Sequence, residues 1–360
     1  MCHPSKFHVF RNTINALKEK GHKIDIIIIS KDVLEDLIIT EGWDFNNIFP
    51  EGRKIKNLPM YVGAGINTIK SLIRFEKYLW RKKYDLIVTD DLIVINAKIR
   101  KIPTIYFQDD DITAVPQTIP LLMFAKHILS PFCSNMGSYQ TKKISFHGFK
   151  ELAYLHPNKF IPNYEVVKQF NPNRTKYFII RLVNLKAIHD GGKKGLNNDD
   201  VFRIIEILKP YGHTYISSER ELPSELNRYR INIKVTEIAH SLYFSTILIS
   251  DSQTMSAEAG ILGTPFIRCN DFIGKISNLN ELENKYKLGF GVPINNKESI
   301  FSLVENLAKK RYLKEEWISK RDNMLSDQID LTNFMIWLFE NYPESIKILE
   351  KNSKYQLNFK

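Results

Sequence analysis

Ile247-Leu248-Ile249-Ser250-Asp251-Ser252-Gln253-Thr254-Met255-Ser256-Ala257-Glu258-Ala259-Gly260-Ile261-Leu262-Gly263-Thr264-Pro265-Phe266-Ile267 decides how the chain is read. The apolar run at its start predicts a buried strand, followed by a tight polar turn and a short helix. Gly263 stops that helix, and a second strand begins at Pro265. The first turn of a helix exposes backbone N–H groups without intrahelical partners, and with hydroxyls beside them it forms a seat for a diphosphate. Ser252 and Thr254 supply those hydroxyls. Thr254 and Glu258 are four residues apart, so they share one helix face about 6 Å apart. A carboxylate one turn below a phosphate seat can accept both hydroxyls of a ribose. The stretch therefore reads as a nucleotide-sugar site. The same residues can also simply cap a helix, but Asp251, Ser252 and Thr254 together exceed what one cap uses.

Outward from this stretch, strand and helix patterns alternate, as in a parallel sheet covered by helices on both faces. Phe7, Phe10, Ile14 and Leu17 recur at helical spacing. Strands are expected at Ile24–Ser30, Tyr84–Asp90 and Pro103–Gln108, with helices over Ile66–Lys83 and Asn96–Arg100. Pro157–Arg174, rich in Pro and Asn, reads as a linker. A second alternating set follows: strands at Lys176–Leu182, His213–Ser217 and Ile231–Val235, and helices at Asp199–Leu208, Ile238–Phe244 and Lys297–Lys309. Leu331–Leu349 reads as helical. The expected division is an N-terminal α/β domain over residues 1–165, a C-terminal α/β domain over 175–330, and a tail over 331–360 that packs back on the N-terminal domain. A doubly wound sheet ordinarily opens with a strand, whereas this chain opens at the turn His3-Pro4. The expectation is that the natural start lies upstream and that one central strand is lacking.

The chain has 360 residues, of which 43% are hydrophobic and 25% charged, enough apolar material for two cores. No apolar run approaches the ~20 residues that cross a bilayer. Met1 to Phe10 is polar and does not read as a signal peptide, and the three scattered cysteines make a reducing cytoplasm the expected home. Cys2, Cys133 and Cys269 lie far apart and show no metal-ligand spacing. The net charge of +11 favours anionic partners, although it can equally reflect a lysine-rich composition. No nucleic-acid recognition module is seen.

Further motifs carry a family resemblance. They are His3-Pro4, His8 and Phe10 before Lys20-Gly21-His22; His147-Gly148-Phe149-Lys150-Glu151-Leu152; Arg181-Leu182; His189-Asp190; Ser218-Glu219; Asp251-Ser252 with Thr254, Glu258 and Gly263-Thr264-Pro265; and Leu282-Glu283 with Lys285-Tyr286. The chain resembles a family of uncharacterised microbial GT-B-like proteins related to UDP-N-acetylglucosamine 2-epimerases and GT-B glycosyltransferases. The resemblance implies two Rossmann-like domains facing a cleft, the first strand of the N-terminal one apparently absent, with the nucleotide held by the second. Cys2 stands where that family has a glycine.

Against this background the candidate residues divide by role. Ser252, Thr254 and Glu258 resemble the diphosphate and ribose contacts of GT-B enzymes. Arg181, at the end of a strand, can clamp the diphosphate bidentately. His189 lies in the glycine-containing loop that follows, where a backbone can approach phosphate closely. His3, at the start of the first helix, resembles the general base of some inverting transferases, and an imidazole has a pKa suited to that task. Glu219 is a second candidate for a catalytic carboxylate. Asp110, within Asp109-Asp110-Asp111, is a third. That triplet looks like a metal-binding Asp-x-Asp, but it follows a strand and has no further ligand at a fixed spacing, so no metal and no cofactor are expected. Ile66–Lys83 is a basic amphipathic helix, able to rest on anionic lipid at the inner face of the membrane or to serve as an ordinary surface helix.

The sequence therefore points to a GT-B glycosyltransferase that uses a UDP-sugar on a glycan or lipid-linked acceptor. The setting would be surface polysaccharide or glycolipid synthesis. A UDP-N-acetylglucosamine 2-epimerase, working through Asp90, Asp110, His189 and Glu219, and a non-catalytic sugar-nucleotide-binding protein are the alternatives.

Overall fold

The computed structural model describes residues 1–31, 33–53, 60–184 and 195–360. The chain divides into two compact units. One comprises Met1–Tyr154 with Ile329–Lys360, and the other Leu155–Gln328.

In the N-terminal unit the strands are β1 (Ile27–Ile29), β2 (Asn46–Phe49), β3 (Ile87–Thr89), β4 (Thr104–Phe107), β5 (His127–Pro131) and β6 (Lys143–Phe146). All pairings are parallel, but they form two sheets, β1-β2 and β3-β4-β5-β6. The helix Pro4–Glu19 has Pro4 in its first turn, where a missing N–H costs nothing, and buries Phe7, Phe10 and Leu17. The helix Leu331–Glu340 packs along it, starting from Asp330, whose side chain accepts from Asn333 N–H. Thr332 Oγ1 donates to the Ala153 carbonyl and His147 N–H to Gln356 Oε1, so the tail belongs to this unit. Its helical pattern is broken between Leu331–Glu340 and Glu344–Lys351, because Pro343 has no N–H to continue the ladder.

The C-terminal unit holds one parallel sheet in the order β11-β10-β9-β7-β8. Its strands are β7 (Tyr177–Leu182), β8 (His213–Ser218), β9 (Ile247–Ser250), β10 (Phe266–Arg268) and β11 (Gly289–Gly291). β7 and β9 are apolar on both faces, as central strands covered by helices must be. The helix Asn198–Leu208 opens with a reciprocal Asn197–Asp200 cap and buries Val201, Ile204, Ile205 and Leu208. Pro157–Arg174 is not a free connector. Its helix Tyr164–Lys168 packs on Ile238–Phe244, and Tyr164 Oη donates to the Asn171 carbonyl. The strand expected at Ile231–Val235 is absent. A single bridge, Ile216 to Arg230, occurs there instead, because the segment lies at the sheet edge and turns away into 3₁₀ geometry at Val235–Glu237.

Candidate functional site

In a parallel sheet, ligands gather at the carboxyl ends of the strands where the strand order reverses. In the C-terminal unit that point lies between β7 and β9, since the chain leaves β7 for β8 on one side and returns to β9 on the other. Arg181, Asp251 and Ser252 stand at those ends.

Ser252 is the N-cap of the helix Gln253–Ile261. Its hydroxyl accepts from Met255 N–H at 3.3 Å, and its own N–H is held by Ser250 Oγ at 2.8 Å. Thr254 is half-buried, and Glu258, one turn on, is buried. Gly263 ends the segment with φ +72°; its N–H donates to Gly260 O, and Thr264 N–H to Ala259 O.

Arg181 is already engaged. Nη1 donates to Ser217 Oγ at 2.8 Å, and Nη2 forms a short ion pair with Glu219. Its buried Nε has no partner among the described residues. Glu219 also accepts from Asn184 N–H. The two residues proposed for different roles therefore form one pair. Asp251 Oδ1 accepts from Val183 N–H at 2.7 Å, while its buried Oδ2 has no partner among the described residues. Burial pushes this carboxyl up to about 7, against the pull of nearby Arg220 and Arg181. A Cβ at Gly195 would stand 2.6 Å from Asp251 Oδ2, so only glycine lets the chain pass this carboxylate. His189 lies outside the described residues.

In the N-terminal unit the carboxyl ends of β3 and β4 carry a charged cluster. Asp109 accepts from Lys6 Nζ at 2.7 Å and from Lys150 Nζ in a shorter contact. Burial opposes its charge, but Lys150 and Lys6 outweigh burial and hold the carboxyl far below the usual range. Asp110, beside it, has no hydrogen bond to its carboxylate among the described residues. Burial first, and the Asp109 charge second, raise it to about 6. Asp91 takes both Arg53 amino groups at 2.7 Å, and Cys2 Sγ donates to Asp90 at 3.2 Å. Asp111 accepts from Asn135 N–H. Among the described residues no three His, Cys, Asp or Glu side chains are placed to hold a metal ion.

His3 lies just before the first helix of the N-terminal unit. It is exposed and caps the first helix, Nδ1 accepting from Ser5 N–H at 3.2 Å. In the neutral tautomer that accepts this bond, the proton is on Nε2, which then presents a donor rather than a lone pair. His8 is held neutral, its pKa lowered to about 4 by burial and then by Arg11.

Sequence reasoning missed two groups. The Arg268–Glu283 pair is buried and bidentate, at 2.8 and 3.1 Å. The Lys6–Asp109–Lys150 cluster joins three distant segments. Glu283 and Lys150 lie in quoted motifs, and a charged residue inside such a motif was the available signal.

The helix Met60–Leu79 is apolar on two opposite faces. Phe75 and Leu79 are buried, whereas Ile69 and Ile73 are 60% and 63% exposed; Trp80, just beyond, is 63% exposed. Ile99, on the helix packed beside it, is 71% exposed. Among the described residues no helix is long and apolar enough to cross a membrane.

No protein-family model and no curated protein sequence matches the chain. Solved structures do. A Listeria monocytogenes protein assigned as a UDP-N-acetylglucosamine 2-epimerase superposes with a TM-score of 0.67 at 10% identity, covering 95% of this chain and 94% of its own. The Methanocaldococcus jannaschii UDP-GlcNAc 2-epimerase, solved with UDP-GlcNAc and UDP, gives 0.61 at 17% identity, covering 86% and 92%. A spinosyn rhamnosyltransferase, solved with spinosyn aglycone, gives 0.57 at 11% identity, covering 94% and 98%. The fold is that of the GT-B class, shared by both groups of enzymes.

Proposed function

We propose that the chain is a sugar-nucleotide enzyme of GT-B type, and specifically a glycosyltransferase of surface polysaccharide or glycolipid synthesis. One observation carries this reading. The strand-order reversal of the C-terminal unit brings together a helix N-terminus, a hydroxyl cap, an arginine and a buried glutamate one turn below. The first turn and Arg181 would hold the diphosphate, with Ser252 and Thr254 donating hydrogen bonds and Glu258 receiving the ribose hydroxyls. Arg220, and Arg181 once an incoming diphosphate displaces Glu219 from it, would supply positive charge there in place of a metal ion. In the N-terminal unit Asp110 is better suited than His3 to deprotonate an acceptor hydroxyl, because it is unengaged and has a pKa near neutrality. Glu258→Ala is expected to lower UDP affinity at least about 100-fold in calorimetry, the scale of losing two charge-assisted hydrogen bonds (about 1.5–3 kcal/mol each). Unchanged affinity refutes the ribose role.

A 2-epimerase is the second reading, favoured by the higher TM-scores of the epimerase structures. UDP-GlcNAc incubated with the protein alone, followed by NMR, separates the two. New N-acetylmannosamine signals identify an epimerase, since a transferase needs an acceptor.

The exposed Ile69, Ile73, Trp80 and Ile99, flanked by exposed Lys70 and Lys77, support contact with anionic lipid, which suits a lipid-linked acceptor. Glu76, on the same face, is neutralised by Arg100. Ile73→Ser with Trp80→Ser is expected to weaken sedimentation with phosphatidylglycerol vesicles at least 10-fold, since each large apolar side chain contributes about 1.5–3 kcal/mol when buried. Equal binding by the variant removes the membrane from this reading.

A further inference from the structure

The proposed nucleotide site contains a carboxyl to which no role has been given. Asp251 follows β9 and directly precedes Ser252, the N-cap of the helix Gln253–Ile261. Its main chain is held from two sides. The Asp251 N–H donates to the Arg181 carbonyl at 3.2 Å, and its carbonyl accepts from Asn270 Nδ2 at 3.0 Å. The residue is 1% exposed. Oδ1 is fixed on Val183 N–H at 2.7 Å, whereas the buried Oδ2 accepts nothing among the described residues and has Gly195 packed close against it.

The groups around this carboxyl come from several segments. Arg181 of β7 commits its two amino groups to Ser217 and Glu219. Arg220, just after β8, turns Nη2 to the Leu196 carbonyl, and its buried Nε meets no acceptor among the described residues. Both arginines pull on Asp251 without a hydrogen bond to Oδ2. Cys269, just after β10, is fully buried, and burial pushes its thiol up, so it stays neutral. Asp200 is answered by Lys297 at 2.6 Å. An ionised Asp251 would therefore leave Oδ2 with neither water nor donor, which is costly. Burial outweighs the arginines and lifts the carboxyl to about 7. A diphosphate on the adjoining helix start adds negative charge beside the acid, and like charges disfavour ionisation. By reciprocity, the proton strengthens the hold on the anion by the same factor.

We propose that Asp251 is a positioning residue of the donor site that carries a proton whenever a nucleoside diphosphate is bound, so that binding above neutral pH takes up a proton from solvent. The inference rests on the reading of this region as a sugar-nucleotide site. The neutral acid still accepts from Val183 N–H through Oδ1. It thereby fixes the end of β7, and with it Arg181 two residues earlier, without adding a charge that repels phosphate.

The test titrates UDP into the protein by calorimetry at about pH 8, where the phosphates of UDP are themselves ionised. HEPES and Tris buffers, which differ in heat of ionisation, read the protons exchanged. The native chain is expected to take up at least about half a proton, and its UDP affinity to fall by up to about 10-fold per pH unit from there upward. Asp251→Asn keeps the acceptor for Val183 N–H and cannot ionise. It is expected to bind UDP without uptake and with an affinity that is flat over the same range. UDP bound by the native chain without uptake, or uptake undiminished in Asp251→Asn, overturns the inference and leaves the nucleotide site standing. A native chain that binds no UDP overturns both. If Asp251→Asn does not fold, infrared difference spectra of Asp110→Asn, which lacks the other raised carboxyl, take its place. A protonated-carboxyl band gained with UDP then supports the inference, and no gain overturns it.

Discussion

Glu283→Ala is expected to destabilise the C-terminal unit by about 3–5 kcal/mol. Arg268 is fully buried at the end of β10, and its guanidinium meets Glu283 through two bonds. Removing the carboxylate leaves a cation in the core without a counter-charge, which is the costly half of any buried pair. Gly291 makes the fit possible, because a Cβ there would stand 2.6 Å from Glu283 Oε2. Hydrogen exchange at β10 and β11 during urea titration measures the loss. The double variant Arg268→Met with Glu283→Leu is expected to recover most of it, since neither charge then remains. A loss below 1 kcal/mol in the single variant contradicts the assignment of this pair as the unit's buried counter-charge.

Asp110→Asn is expected to lower kcat by 10²–10⁴, the usual contribution of a positioned base, while UDP affinity stays unchanged. For the native protein, kcat/KM rises with pH through about 6 and levels off above it, because only the ionised carboxylate accepts a proton. The variant is expected to be flat over that range. Stability supplies the internal control. A carboxyl raised from 3.8 to about 6 favours the folded state below pH 4, and that contribution is lost as pH rises through 6. At pH 8 the variant is expected to be at least as stable as the native chain, and its Tm at that pH, measured beside kcat, separates lost chemistry from unfolding. Activity retained in full assigns the base elsewhere.

What the sequence made legible was local. The cap at Ser252, the stop at Gly263 and the helix Lys297–Lys309 follow from rules spanning a few residues. Strands β2, β5, β6 and β11 escaped. β2 has the polar start Asn46-Asn47, and β6 is short and opens on Lys142-Lys143, so neither shows the apolar run that marks a buried strand. Lys6, Asp109 and Lys150 meet only through the fold, and no periodicity announces such a meeting. The helix Met60–Leu79 shows a third limit. A stripe can be counted from sequence, but two opposite apolar faces leave open which one turns inward; packing chose Phe75 and Leu79 over Ile69 and Ile73.

Arg181 meets the outside world as half of a neutral couple, with Glu219 on one amino group and Ser217 on the other. An anion reaching that guanidinium must evict a carboxylate to take its place. Such a swap exchanges one negative group for another and creates little new net attraction for salt to screen. Its equilibrium is therefore far less sensitive to ionic strength than capture by a bare arginine, and Glu219, already half-exposed at the surface, is unpaired from Arg181 only while the newcomer stays.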